Sequence, residues 1–500
     1  MKKLLLFTAL FFALLWNETT SHVYADELTP KFTLSNGQSS SNLTDTSHYT
    51  TVLFNKEDSI TITASNNSPI HSIYISWDSE PVPWTLTTEN GDISCGTNGF
   101  LHEYVALETP STSVTIQIPQ NSMRIDGIRI FNEGELPHDV QVWNPPCERA
   151  DIMVVSSHAD DEILFFGGVL PTYAYLHDAD IQVVYMCEFR TTNQKVREHE
   201  KLDGLWEAGI RFYPTCGNFY DKYSKNVETA KKQYNFEEMV SFLVTQIREF
   251  QPQVIVTHDI YGEYGHGFHI LTCYSLLQAI EDASNPNKHE ESVALYGTWN
   301  TPKTYLHIFP VNSITLDLHI PIEEDYENRT ALDILKKAFT KHASQFYGPF
   351  YVSDDYEHSC AEFGLYRSLV GPDTTNDLLC NLKTYAVQEQ EEIARIEAEK
   401  IAAKKAEEER LAKEEEERIK AEQLAIKEAE EKRIAQEEAR IQEEQRIAQE
   451  EKITAYEAEI QQLSNRLDST KISNLSLVIS TSICLLVLIG NLVKKFMVKR

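Results

Sequence analysis

Positive charge is scarce in this 500-residue chain: 45 Lys and Arg stand against 76 Asp and Glu, a formal net charge of −31 at neutral pH. A nucleic-acid binder needs a basic surface to release counterions from phosphates, so that class is excluded. A surface docked on anionic lipid is disfavoured for the same reason. Cysteine is also sparse. The eight are scattered, and no CxxC occurs among them. That excludes a cysteine-built zinc cluster and a small disulfide-stapled scaffold. Cys95 with Cys147, and Cys360 with Cys380, remain as candidate pairs that an oxidising compartment would permit. Glycine (19) and proline (18) are too few for a collagen-like chain. No LPxTG-type sorting sequence is present.

Long apolar runs occur only at the two ends. Lys2-Lys3, the run Leu4–Trp16 and the polar stretch ending Val23-Tyr24-Ala25, with small residues at −3 and −1, read as a secretory signal over 1–25, cut after Ala25. Leu475–Val493 carries no charge and is followed by Lys494, Lys495, Lys499 and Arg500. At 1.5 Å per residue this run reaches about 28 Å, enough for one transmembrane helix with the basic tail 494–500 inside. The expectation is a single-pass protein of the cell membrane, with its bulk extracellular and its C-terminus cytoplasmic.

Between the ends, three patterns follow one another. Residues 31–146 alternate with period two, as in Ser59-Ile60-Thr61-Ile62-Thr63 and Ser113–Ile118, broken by Asn, Gly and Pro. This predicts an antiparallel β-sandwich. Its runs Ile128–Phe131 and Asp139–Trp143 resemble jelly-roll carbohydrate-binding modules. Trp77 and Trp84 are candidates for sugar stacking or, more simply, for the core. From 150 to 385, apolar runs at Ile152–Val155, Ile181–Tyr185 and Val254–Val256 alternate with helical stretches at Gln194–Gly209 and Phe236–Phe250. That predicts an α/β domain with a Rossmann-like, mostly parallel sheet. Residues 388–470 are nearly all Glu, Lys, Ala, Arg, Ile and Gln and predict a long charged helical stalk. Ile453, Tyr456, Ile460, Leu463 and Leu467 are spaced 3,4,3,4, so a homodimeric coiled coil competes with a single helix held by ion pairs.

Two clusters carry the chemistry. His158-Ala159-Asp160-Asp161-Glu162 follows the strand Ile152–Ser156, and Gly265-His266-Gly267-Phe268-His269 lies just beyond Val254–Thr257. Ligands in open α/β sheets bind at the carboxyl ends of strands. Histidines three apart in one loop, with His-x-x-Asp in another, supply imidazole and carboxylate ligands suited to a catalytic zinc.

The strand with HADDE resembles the (A/S)HPDDE signature of the PIG-L/LmbE-like zinc-dependent N-deacetylases, and YGHGFH resembles their second signature, YGHPDH. Glu263–His266, Arg197-Glu198 and Phe363–Ser368 add to the likeness, which covers about residues 150–385. The resemblance implies that His158, Asp161 and His269 ligate Zn2+ or another divalent transition metal. It implies that Asp160 is the general base, that His266 stabilises the oxyanion or protonates the leaving amine, and that Tyr264 is a second, mobile oxyanion donor. The family's Pro is Ala159 here, and its second Pro-Asp is Gly267-Phe268, which removes a carboxylate that could orient His269. Glu162 is expected to orient its loop, and His258 to be hydrogen-bonded scaffold. Arg197 is either a sugar or phosphate contact or structural, and His342 with Gln345 is a candidate lid.

The implied activity is removal of the N-acetyl group from an N-acetylglucosamine-containing glycan or glycoconjugate, outside the cell. Two alternatives stand beside it: a catalytically degenerate surface adhesion or scaffold protein with a sugar-binding sandwich, and an amidase of the same chemistry on a non-sugar amide.

Overall fold

Strict alternation shapes the first part of the chain. The computed structural model describes residues 24–118, 121–189, 194–322, 327–346, 349–428, 435–469 and Leu485. Ten strands come first: β1 (Glu27–Leu28), β2 (Pro30–Leu34), β3 (Val52–Phe54), β4 (Ser59–Ala64), β5 (Ile70–Trp77), β6 (Trp84–Thr88), β7 (Gly91–Cys95), β8 (His102–Ser111), β9 (Ser113–Gln117) and β10 (Met123–Phe131). They form two antiparallel five-stranded sheets, β1-β10-β5-β8 with β3 beside β10, and β2-β4-β9-β6-β7. In β4, Ile60, Ile62 and Ala64 are buried while Ser59, Thr61 and Thr63 are half-buried, the signature of a sheet with one face to the core. Trp77 and Trp84 are both buried, edge-on to each other, and both donate to the Glu103 carboxylate. They are core residues.

Seven further strands make one sheet: β11 (Ile152–Ser156), β12 (Ile181–Cys187), β13 (Thr215–Phe219), β14 (Val254–Thr257), β15 (Lys303–His307), β16 (Ser313–Thr315) and β17 (Glu362–Ser368). The helices among them are α1 (Asp161–Leu164), α2 (Val169–Leu176), α3 (Val196–Glu207), α4 (Val227–Gln233), α5 (Phe236–Phe250), α6 (Gly267–Ala283), α7 (Glu290–Tyr296) and α8 (Ala331–Thr340). The order is β13-β12-β11-β14-β15-β17-β16. Ile152 and Val154 pack into one core and Met153 and Val155 into another. This explains the unbroken apolar run in β11, since strands buried on both faces do not alternate. The first of these cores also holds the interior of the sandwich. Phe100 stacks on Tyr213, Trp143 meets Trp206 edge-on, and Lys195 pairs with Asp78 at 2.6 Å across the same seam.

Two corrections to the expected fold follow. The large sheet is mixed: β11 to β15 run parallel, but β17 pairs antiparallel with both β15 and β16. The chain between β15 and β17 returns without a crossover that would restore the parallel direction, and antiparallel edge strands are common on such sheets. The second correction concerns the membrane. No helix among the described residues is long and apolar enough to cross one, so the single-pass anchor and the cell-membrane localisation built on it are not supported. The long helices are α9 (Tyr385–Glu428) and α10 (Ala435–Ser469), and both are charged throughout. Arg410 pairs with Glu407 and Glu414, and Arg446 with Glu443 and Glu450. The expected signal over 1–25, Tyr24 and Ala25 apart, and the apolar run 475–493, Leu485 apart, lie outside the described residues. All seven described cysteines are free, so the candidate disulfides are not formed.

The chain divides into two compact units, Met1–Ile393 and Ala394–Arg500. The first turn of α9 belongs to the first unit. There Tyr385 N–H donates to Asp151 Oδ1 at 2.7 Å, its hydroxyl donates to Gln251 O, and Gln388 Nε2 donates to Gln253 Oε1. In the second unit, Tyr456 and Ile460 are exposed.

Candidate active site

The carboxyl ends of four parallel strands converge: His158 follows β11, Asp221 follows β13, His258 follows β14, and His307 ends β15. The loop after β11 turns sharply. Asp160 takes φ 122°, a strained region for a residue with a side chain and of a kind that clusters at functional sites. Two contacts hold the turn: Asp160 N–H donates to Glu162 Oε2 at 2.8 Å, and His158 N–H donates to Asp161 Oδ2 at 2.9 Å. Glu162 therefore orients the loop, as expected. The apolar stretch after it is broken into α1 and α2 at Gly167-Gly168, where a side chain on Gly167 would meet Ile163 O at 2.3 Å.

His158 Nδ1, Asp161 Oδ2 and His269 Nε2 form a triangle with sides of 3.0, 3.3 and 3.3 Å. Ligands about 2.0–2.1 Å from a tetrahedral ion lie roughly 3.3 Å apart, so the donor set fits a divalent metal without rearrangement. The electrostatics agree. Burial opposes ionisation of Asp161, yet His269 and His158 outweigh it and hold the carboxyl well below the usual range. Burial likewise opposes charge on His269, but Asp161 and Glu263 lift it to about 10. The pocket favours positive charge at this point.

The carboxylate that orients His269 is not the missing Asp of the second signature but Glu263. Its Oε2 accepts from Nδ1 of His269 and of His258, each at 2.7 Å. Its Oε1 lies 2.8 Å from His307 Nδ1 and accepts from Asp259 N–H. Every lone-pair direction of that buried carboxylate is used. His258 has no free nitrogen, because its Nε2 accepts from Ser157 N–H at 2.9 Å. It is scaffold, although it stands 3.7 Å from Asp161. The outer nitrogen of His158 faces Asp221 Oδ1 at 3.6 Å. Gly267 is dictated by packing: its N–H donates to Ser224 O, and a Cβ there would lie 1.9 Å from Asn226 O. Phe268 stacks on Tyr234 with centroids 4.0 Å apart.

Asp160 directly precedes Asp161 in the turn, with Arg197 3.4 Å from its Oδ1. Burial, then the adjacent Asp161 charge, pushes its carboxyl up to about 7. The ring of His266 is 5.1 Å from that of His158 and 4.5 Å from that of His269, with Nδ1 unpartnered among the described residues. Burial first, then His269 and His158, lower it to about 2, so it is a neutral imidazole. Tyr264 is half exposed, adopts φ 47° and stands 5.5 Å from His266. All six sequence-derived candidates thus surround one point. Arg197 is structural: it donates to Ala159 O and Asp221 and lies over the Phe189 ring. His342 is not part of a lid; it is fully buried with Nε2 3.0 Å from Glu162 Oε1. Asp221 and His307 stand outside both sequence motifs, and Glu263 enters one only as a neighbour of His266.

Residues 153–280 match the family described as PIG-L: GlcNAc-PI de-N-acetylase. The 1D-myo-inositol 2-acetamido-2-deoxy-alpha-D-glucopyranoside deacetylase of Rhodococcus erythropolis is 26% identical over 269 residues, covering 44% of this chain and 87% of that enzyme. A deacetylase of the same description from Frankia casuarinae is 28% identical over 181 residues, covering 31% of this chain and 57% of the other. The solved structure of N,N'-diacetylchitobiose deacetylase from Pyrococcus horikoshii is 18% identical with a TM-score of 0.30, covering 39% of this chain and 71% of that one.

Proposed function

We propose that the seven-stranded α/β domain, whose residues 153–280 match the PIG-L family, removes the N-acetyl group of an N-acetylglucosamine-type sugar within a glycan or glycoconjugate, with one zinc ion held by His158, Asp161 and His269. The observation that carries this reading is the donor triangle with Asp160 in the turn that bears Asp161. A bound zinc ion acidifies water and polarises an amide carbonyl. Asp160 accepts the proton of the attacking water, a task suited to a carboxylate poised near neutrality. Arg197 and the Glu162 contact keep that carboxylate aimed while the strained turn holds it forward. His266, neutral and with a free ring nitrogen, donates a hydrogen bond to the developing oxyanion. Tyr264, on an exposed turn, adds a second donor once substrate is seated. Asp160 then returns its proton to the departing amine.

Exposed aromatic rings favour a sugar over a small non-sugar amide. Tyr223, 74% exposed, stands 5.5 Å from His266, and Tyr264 packs at 4.5 Å against Phe350. Such faces stack on pyranose rings. The test is mass spectrometry of N-acetylglucosamine oligosaccharides and glycoconjugates incubated with the zinc-loaded full chain. Loss of single acetyl groups, abolished in His269→Ala, is expected. Intact sugars alongside cleavage of simple acetamides would replace this reading with the non-sugar amidase.

A further inference from the structure

The sugar that loses its acetyl group sits at the donor triangle, yet aromatic rings extend well beyond that point. Exposed tyrosines gather at the carboxyl edge of the large sheet. Tyr220 and Tyr223 follow β13, Tyr261 and Tyr264 follow β14, and Tyr351 lies on the segment entering β17. The start of β17 belongs to the same edge, because Phe363 pairs with His307 at the end of β15. These five side chains are between 49% and 76% exposed. An exposed aromatic standing alone needs no explanation, but a gathered set marks a binding surface.

The rings form a row. Tyr223 stands against His266, and Tyr264, 5.5 Å from the same imidazole, packs at 4.5 Å on Phe350. Phe350 and Tyr356 each lie 5.8 Å from His358, and Tyr356 stacks on Tyr351 at 4.5 Å. His266, with its ring 4.5 Å from that of His269, stands within this row and not at its end. The row therefore passes the reacting point. Sheet order agrees: β13 lies two strands to one side of β11, and β17 lies two strands beyond β14 on the other. Five spacings of about 4.8 Å put roughly 24 Å between β13 and β17, several pyranose rings in length. A single sugar would meet Tyr223 and Tyr264 and leave Tyr351 unused. We propose, building on the deacetylase reading, that the substrate is a polymer of N-acetylated hexosamines laid across the site. Sugar units then lie on both sides of the one that reacts, and internal units of the chain are deacetylated. Tyr223 and Tyr351 are the stacking platforms towards its two ends. The net charge of −31 favours an uncharged polymer over a polyanionic one.

The test separates binding from chemistry. Zinc-loaded, full-length Asp160→Asn is titrated calorimetrically with N-acetylglucosamine oligosaccharides, from the monosaccharide to the hexamer. Affinity is expected to rise about tenfold or more with length. Adding Tyr351→Ala should remove the gain for the longer chains while metal content stays constant. Mass-spectrometric sequencing of the hexamer after incubation with the wild type should place the first lost acetyl group on an internal unit. No binding, or equal affinity at every length, overturns the polymer whether or not acetyl is released. So does a length gain that survives both Tyr351→Ala and Tyr223→Ala, or acetyl loss confined to a terminal unit. Length-dependent binding without acetyl loss in the wild type has the opposite meaning: the aromatic row holds a glycan chain, and the chemistry assigned to the triangle falls.

Discussion

Asp160 and Asp161 are neighbours with opposite surroundings. Asp161 faces two imidazoles, whereas Asp160 faces the Arg197 guanidinium. Asp160→Asn should keep its metal and lose about 10²–10⁴-fold in rate, the usual worth of a positioned base. Asp161→Ala should lose metal and activity together. Metal content and deacetylation rate, measured side by side, separate the two. Glu263→Gln replaces a carboxylate that meets three imidazoles with an amide that has only one oxygen. Metal affinity should fall about 10–100-fold, read by competition with a chelating dye. Tyr223→Ala should raise KM for an oligosaccharide and spare kcat. The six candidates could be singled out because they fall in two short motifs, one with two ligands and the base, the other with the third ligand and both oxyanion donors. Glu263, Asp221 and His307 were not, because their roles arise only when loops after β13, β14 and β15 close around one point. A sequence shows that a ligand lacks its usual partner but not which distant carboxylate has taken its place.

The loop Ser224–Val227 lies so close to the start of α6 that position 267 has no room for a side chain. Gly267→Pro installs the proline of the YGHPDH signature yet removes the hydrogen bond to Ser224 O and collides with Asn226 O. It should destabilise by about 1–3 kcal/mol, as overpacking does, with a parallel loss of metal as His269 shifts; a thermal melt and a metal assay check both. At the opposite end of the strands, burial, then Asp151 and Asp178, push Asp180 up to about 6. A carboxyl raised on folding favours the native state below its unfolded value near 3.9 and loses that benefit as pH climbs through the folded value. Denaturant melts between pH 4 and pH 7 should show this loss in the wild type, and Asp180→Asn should flatten it. Periodicity made β11, β12 and β14 plain, since their runs are apolar throughout. It could not reveal that β17 runs antiparallel, because pairing direction leaves no mark on a short strand.

Across the whole molecule, sandwich and seven-stranded sheet share one apolar interior through Phe100, Trp143, Trp206 and Tyr213. Calorimetry should therefore show residues 24–393 melting in a single transition, and a fragment starting at Ala150 should aggregate where the intact unit does not. The helix that leaves this unit is rooted at Asp151, Gln251 and Gln253, beside the beginnings of β11 and β14, whereas the triangle of His158, Asp161 and His269 lies past their ends. A change at that root therefore acts on the near ends of the two central strands, a full strand length away from the reacting atoms.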